Sequence, residues 1–70
     1  MTPAEFKEAR QTLGLSAVQL VAMLRRPVSS DQAARNFVSK CERGVMPVPA
    51  DTAELLRAYL WGYRPDDWPR

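Results

Sequence analysis

Apolar residues recur along the chain at the three- and four-residue spacing of a single helix face, and nowhere do they alternate as in a strand. Phe6, Ala9 and Leu13 mark the buried stripe of a first helix. Thr2-Pro3-Ala4-Glu5 opens it with a capping box and a proline at the first helical position, and Gly14 stops it. Ser16-Ala17-Val18-Gln19 forms a second capping box, with Leu15 and Leu20 placed as a hydrophobic staple. Between Ala17 and Leu24 only Gln19 is polar, so this short second helix must be enclosed by its neighbours. Pro27 then enforces a turn around Arg25–Val28.

Residues 29–43 form the third predicted helix, with Ser29 to Gln32 as its capping signature and Gly44 as its stop. At about 100° per residue, Ala34, Phe37, Val38 and Cys41 share one side, while Gln32, Asn36, Ser39 and Arg43 share the other, flanked by Arg35 and Lys40. Two prolines, Pro47 and Pro49, make an extended linker. Asp51-Thr52-Ala53-Glu54 caps a fourth helix whose Leu55, Leu56, Tyr59 and Leu60 face the core, and Gly62 ends it. The expected architecture is all-α: a compact four- to five-helix bundle with three tight connections. It divides into a helical domain over residues 1–62 and an irregular, proline-rich and aromatic tail over residues 63–70.

Seventy residues supply one small core, and a 46% apolar, 26% charged composition is that of a globular chain. With no membrane-length apolar run and no signal-peptide pattern, the expected compartment is the cytoplasm, which agrees with a single cysteine. The net charge of +2 is unevenly placed: residues 25–44 carry five cations against two acids, whereas the segments on either side are neutral or acidic. The basic excess thus coincides with the amide-rich helix, as expected for a face that meets a polyanion.

In a duplex reader, Gln32 and Asn36 lie one turn apart, and each amide can pair bidentately with adenine. Arg35 and Ser39 are placed to read a base or hold a phosphate, and Lys40 and Arg43 to hold phosphate as charges. Arg25 and Arg26 are candidate phosphate clamps from the turn, and the start of the second helix at Ser16 offers free N–H groups for another. Ser16, Ser29 and Thr2 are helix caps in the first instance. Trp61, Tyr63 and Trp68 either close the core or form a homodimer seam, the second being favoured because one helix reads too few base pairs.

The order helix, Leu13-Gly14-Leu15-Ser16, apolar helix, turn, Val38-Ser39-Lys40-Cys41-Glu42-Arg43-Gly44, proline linker and helix resembles the Cro/C1-type, or XRE, helix-turn-helix repressors over most of residues 2–60. The resemblance implies a lambda-repressor-like fold with the third helix as recognition helix, and a structural ion pair between Arg10 and Glu42. It also implies a phage, prophage or other mobile-element setting. The chain departs from the family pattern at Val21, where a small alanine is usual, at Arg25, where a turn glycine is usual, and at Cys41, which replaces a frequent tryptophan. Thirteen residues separate Leu24 from Val38, about seven more than is usual for the family; a longer third helix and a longer turn are expected to share the excess. Cys41 is expected to be a small buried hydrophobe.

The chain has no histidine, no second cysteine and no glycine-rich phosphate loop, so it lacks the usual zinc sites, histidine-based triads and nucleotide signatures. No catalytic, metal or cofactor role is expected. The leading expectation is a small autoregulatory repressor that binds an inverted repeat in double-stranded DNA as a dimer. The alternative is a protein-binding module on the same fold, an antirepressor, inhibitor or antitoxin, favoured by near-neutral overall charge.

Overall fold

The computed structural model describes residues 1–69; Arg70, the end of the expected tail, lies outside the described residues. Four helices follow in order: α1 (Pro3–Leu13), α2 (Ala17–Met23), α3 (Asp31–Glu42) and α4 (Ala50–Leu60), with no strand among the described residues. The architecture is therefore all-α, with four helices. α3 packs on α1 and α2, and α1 also packs on α4, within extents of 30 × 25 × 19 Å.

The starts of α1 and α2 follow the sequence closely. Thr2 Oγ1 accepts from the Glu5 N–H at 3.1 Å and Glu5 Oε1 accepts from the Thr2 N–H at 2.8 Å. Ser16 and Gln19 make the same exchange at 3.1 and 3.0 Å. Such boxes satisfy N–H groups that the first helical turn leaves unpaired.

The other two starts differ from expectation. α3 is capped by Ser30, not Ser29: Ser30 Oγ accepts from the Ala33 N–H at 3.1 Å, and an alanine at that third position cannot complete a box. α4 begins at Ala50 behind Pro49 and has no side-chain cap. Asp51 instead accepts from the adjoining Thr52 N–H, and Thr52 is buried against the α2–α3 connector. The core face of α4 is accordingly Thr52, Ala53, Leu56 and Tyr59, while Leu60 is 41% exposed.

Only one connection is tight. Residues 14–16 join α1 to α2, but residues 24–30 and 43–49 each make seven-residue connectors. The excess between Leu24 and Val38 thus divides between a long connector and a twelve-residue α3.

All four helices end with the same paired backbone hydrogen bonds. In α1, the Gly14 and Leu15 N–H groups donate to the Gln11 and Arg10 carbonyls; the pattern recurs at Arg25–Arg26, Gly44–Val45 and Gly62–Tyr63. This closure requires a left-handed residue, normally glycine, and three of the four ends have one. At the end of α2 that residue is Arg25, at φ 59°.

Phe6, Leu20, Val21, Cys41, Leu56 and Tyr59 fill the centre, each under 2% exposed. Burial pushes the Cys41 thiol above its ordinary range, so it acts as a small apolar side chain. Tyr59 donates its hydroxyl to the Met23 carbonyl, satisfying a terminal acceptor of α2 from α4.

The tail has no regular structure over residues 63–69, yet it folds back on this core. Trp68 meets Tyr59 edge-on with centroids 5.0 Å apart, and Tyr63 stacks on the Tyr59 ring at 5.7 Å. Arg64 lies over Trp68 and donates to the Tyr59 and Tyr63 carbonyls at 2.6 and 2.8 Å. Of the three aromatics, Trp68 closes the core and Tyr63 covers part of it. Trp61 does not close it at all, being 90% exposed.

Candidate nucleic-acid interface

α3 is held from behind. Ala34, Val38 and Cys41 are buried against α1 and α2, and Phe37 packs partly against the same core. With that side anchored, Gln32, Arg35, Asn36, Ser39, Lys40 and Arg43 fall within an arc of roughly 140° at about 100° per residue. All are exposed except Ser39, which is half-buried.

Gln32 Nε2 donates to Asn36 Oδ1 at 3.0 Å. This leaves one N–H of Gln32, both amide N–H groups of Asn36 and the Gln32 carbonyl oxygen for an outside partner. Pairing across one turn removes side-chain freedom from both amides before any ligand arrives. Arg43 Nε donates to the Ser39 carbonyl at 3.4 Å, which turns the guanidinium back along the helix end. Among the described residues, Arg35, Lys40 and Arg43 have no carboxylate partner.

One hydrogen bond ties α3 to α1, and a second anchors its donor to the α1–α2 connector. Arg10 Nε donates to Glu42 Oε1 at 2.8 Å, and Arg10 Nη1 reaches the Leu15 carbonyl at 3.3 Å. The side chains are 24% and 16% exposed, so this pair is largely withdrawn from water. It is the ion pair that the family resemblance implies, and it neutralises an acid close to the cationic face. Just beyond Glu42, a Cβ on Gly44 would come within 3.2 Å of Pro3, so glycine also permits the close approach of the α3 C-terminus to the start of α1.

The turn arginines have intramolecular work. Arg25 binds Asp67 bidentately at 2.6 and 2.8 Å, with the two side chains 50% and 58% exposed. That pairing holds the Asp67 carboxyl below, and the Arg25 guanidinium above, their ordinary ranges. Arg26 donates to Thr52 Oγ1 at 3.2 Å, lies 3.9 Å from Asp51 and stacks 4.6 Å from the centroid of Phe37. It bridges the connector, α4 and α3. Neither arginine is the free clamp expected of it. Ser16 likewise spends its hydroxyl oxygen on the Gln19 N–H as a cap.

The sequence offered no direct sign of the partners Asp67 and Thr52. The one available hint was Arg25 itself, a long charged residue where a helix end asks for glycine and therefore in need of an external hold. No family model, curated protein or solved structure matches the chain. The candidate interface is accordingly defined by its own geometry: a helix packed from behind that presents amides, and cations without carboxylate partners among the described residues, on one side.

Proposed function

We propose that α2 and α3 form a helix-turn-helix and that α3 is the recognition helix of a sequence-specific DNA-binding regulator, acting as a repressor. The observation that carries this reading is the outward side of α3, where two hydrogen-bonded amides lie among three cations that have no carboxylate partner among the described residues. Amides bond adenine edges and cations hold phosphate, which is the division of labour a major groove demands. Gln32 and Asn36 read bases, Arg35 and Ser39 read a base or hold phosphate, and Lys40 and Arg43 hold phosphate. The connector is longer than the three or four residues usual for this motif, and Arg26 braces it by tying it to Thr52 and Phe37.

The working unit is a two-fold dimer on an inverted repeat. Half-sites on one face of DNA lie about 34 Å apart.

The test is a titration of selected duplex DNA at two salt concentrations. Two or three phosphate-holding cations per protomer, depending on the role of Arg35, give a log–log salt slope of about −2 to −3, or about −4 to −5 for a dimer, so raising salt fourfold weakens binding by roughly a hundred- to a thousandfold. Binding that hardly responds to salt refutes the reading. It would favour the second one, a protein-binding module such as an antirepressor, inhibitor or antitoxin, to which the intramolecular pairing of Arg25 and Arg26 is the observation that points.

A further inference from the structure

Away from α3, a groove of about 270 Å³ runs between α1 and α4, lined by Met1, Glu5, Glu8, Ala9, Arg57 and Leu60. It is smaller than the roughly 300–1,000 Å³ of small-molecule sites and suits an inserted side chain better than a ligand. Immediately beside its Leu60 wall stands Trp61, 90% exposed in a chain whose other tryptophan packs against the core. An indole left in water is an unexplained cost for a soluble surface, and tryptophan is the residue most enriched at the energetic centres of interfaces.

The groove walls are also charged in a self-complementary way. α1 presents Glu5 and Glu8, and α4 presents Arg57. The Glu5 carboxylate is used by the Thr2 N–H, whereas Glu8 and Arg57 have no ion-pair partner among the described residues. A two-fold contact brings one patch against its own copy, so that residue i meets residue j and j meets i.

We infer that this groove is the homodimer surface: Trp61 of one copy inserts between α1 and α4 of a second copy, and Arg57 faces the partner's Glu8 in two symmetric pairs. A standard interface takes about 800 Å² from each partner. That is roughly a fifth of the 4478 Å² this chain exposes, within what one broad face supplies. The inference rests on the dimeric part of the proposed function and not on DNA, because the groove and the outward side of α3 share no residue.

Sedimentation equilibrium of the full chain without DNA tests it. The expected result is a reversible monomer–dimer equilibrium that Trp61→Ala weakens at least about thirtyfold. Arg57→Glu and Glu8→Arg each place like charges opposite one another in both symmetric pairs and abolish dimerisation, with helical content unchanged by circular dichroism. An equimolar mixture of those two variants restores it, since both pairs become opposite in sign in the heterodimer. A parent chain that stays monomeric overturns the inference and leaves the patch to a different protein. Dimerisation untouched by Trp61→Ala, or single variants that associate no better when mixed, overturns it as well. Each of these results leaves the salt-dependence test of α3 undecided either way, so the two failures are distinguishable.

Discussion

Arg10→Ala removes the donors to Glu42 and to the Leu15 carbonyl, and it strands a carboxylate that is only 16% exposed. Truncating one partner of a buried pair costs about 3–5 kcal/mol, whereas an exposed pair is worth less than about 1 kcal/mol. Exposures of 24% and 16% lie near the buried limit, with enough water at the edge to moderate the loss, so about 2–3 kcal/mol is expected. Against a total of roughly 4–10 kcal/mol for a chain this size, the variant folds but with a thin margin. Each kcal/mol lowers the melting temperature of a small domain by about 4–8 °C, and the predicted drop is roughly 10–20 °C. Thermal melts followed by circular dichroism measure it. Adding Glu42→Ala closes a double-mutant cycle, in which the combined loss must fall well short of the sum because removing the second partner relieves the stranded charge. A melting point within about 2 °C of the parent, or additive losses, refutes the idea that this pair sets α3 on α1.

Asn36→Ala is expected to relax base preference at one position in each half-site, whereas Lys40→Ala weakens all sequences alike and reduces the salt slope by about 1 per protomer; parallel binding-site selections and salt titrations separate the two effects. Arg26→Ala is expected to lower the melting temperature rather than to produce a pure loss of DNA affinity, since its guanidinium is committed to Thr52 and Phe37. Arg25→Gly relieves a left-handed φ but gives up an exposed pair, two small and opposed effects, and is expected to be close to neutral, while Arg25→Ala keeps the strain and loses the pair; the glycine variant must melt higher than the alanine one. Burial raises the folded-state pKa of both Cys41 and Tyr59, so the unfolded chain loses these protons first. Stability is therefore expected to fall as pH rises above about 8.5, and Cys41→Ala must flatten the first part of that decline in denaturant titrations at successive pH values.

The four helices were legible because each carries its own signal in adjacent residues: a cap, a stripe, a stop. Thr2 with Glu5 and Ser16 with Gln19 are local exchanges, and local exchanges survive any tertiary arrangement. The start of α3 differs from expectation because two caps compete, and that of α4 because the helix begins ahead of its capping signature. Ser29 and Ser30 both suit the role, and the choice between them depends on how the connector returns from Arg26, a fact about packing. Asp51 heads a capping-box pattern with Glu54, but α4 starts one residue earlier, at Ala50, and the Asp51 carboxylate accepts only from the adjoining Thr52 N–H, while the Thr52 hydroxyl accepts from the half-buried Arg26 guanidinium. The exposed side of α3 was legible from periodicity alone, since an apolar back leaves only one orientation. What charge patterning could not reveal is that Asp67, 42 residues away in sequence, neutralises Arg25.

That neutralisation changes how the proposed DNA binding would work. The local excess of three positive charges around α3 counts Arg25 and Arg26 as available, but Asp67 holds the first, and Thr52, Phe37 and nearby Asp51 engage the second. The field that reaches a duplex is then set mainly by Arg35, Lys40 and Arg43. Three cations suffice for only weak, salt-sensitive contact by one protomer, because non-specific affinity grows with the number of phosphates neutralised. Doubling that number without lengthening the chain requires a second copy, and a second copy also doubles the bases read. Under the proposed function the sequestered arginines and the exposed Trp61 thus bear on one another: the less charge a monomer offers to DNA, the more recognition of a site would depend on the surface proposed to join two copies.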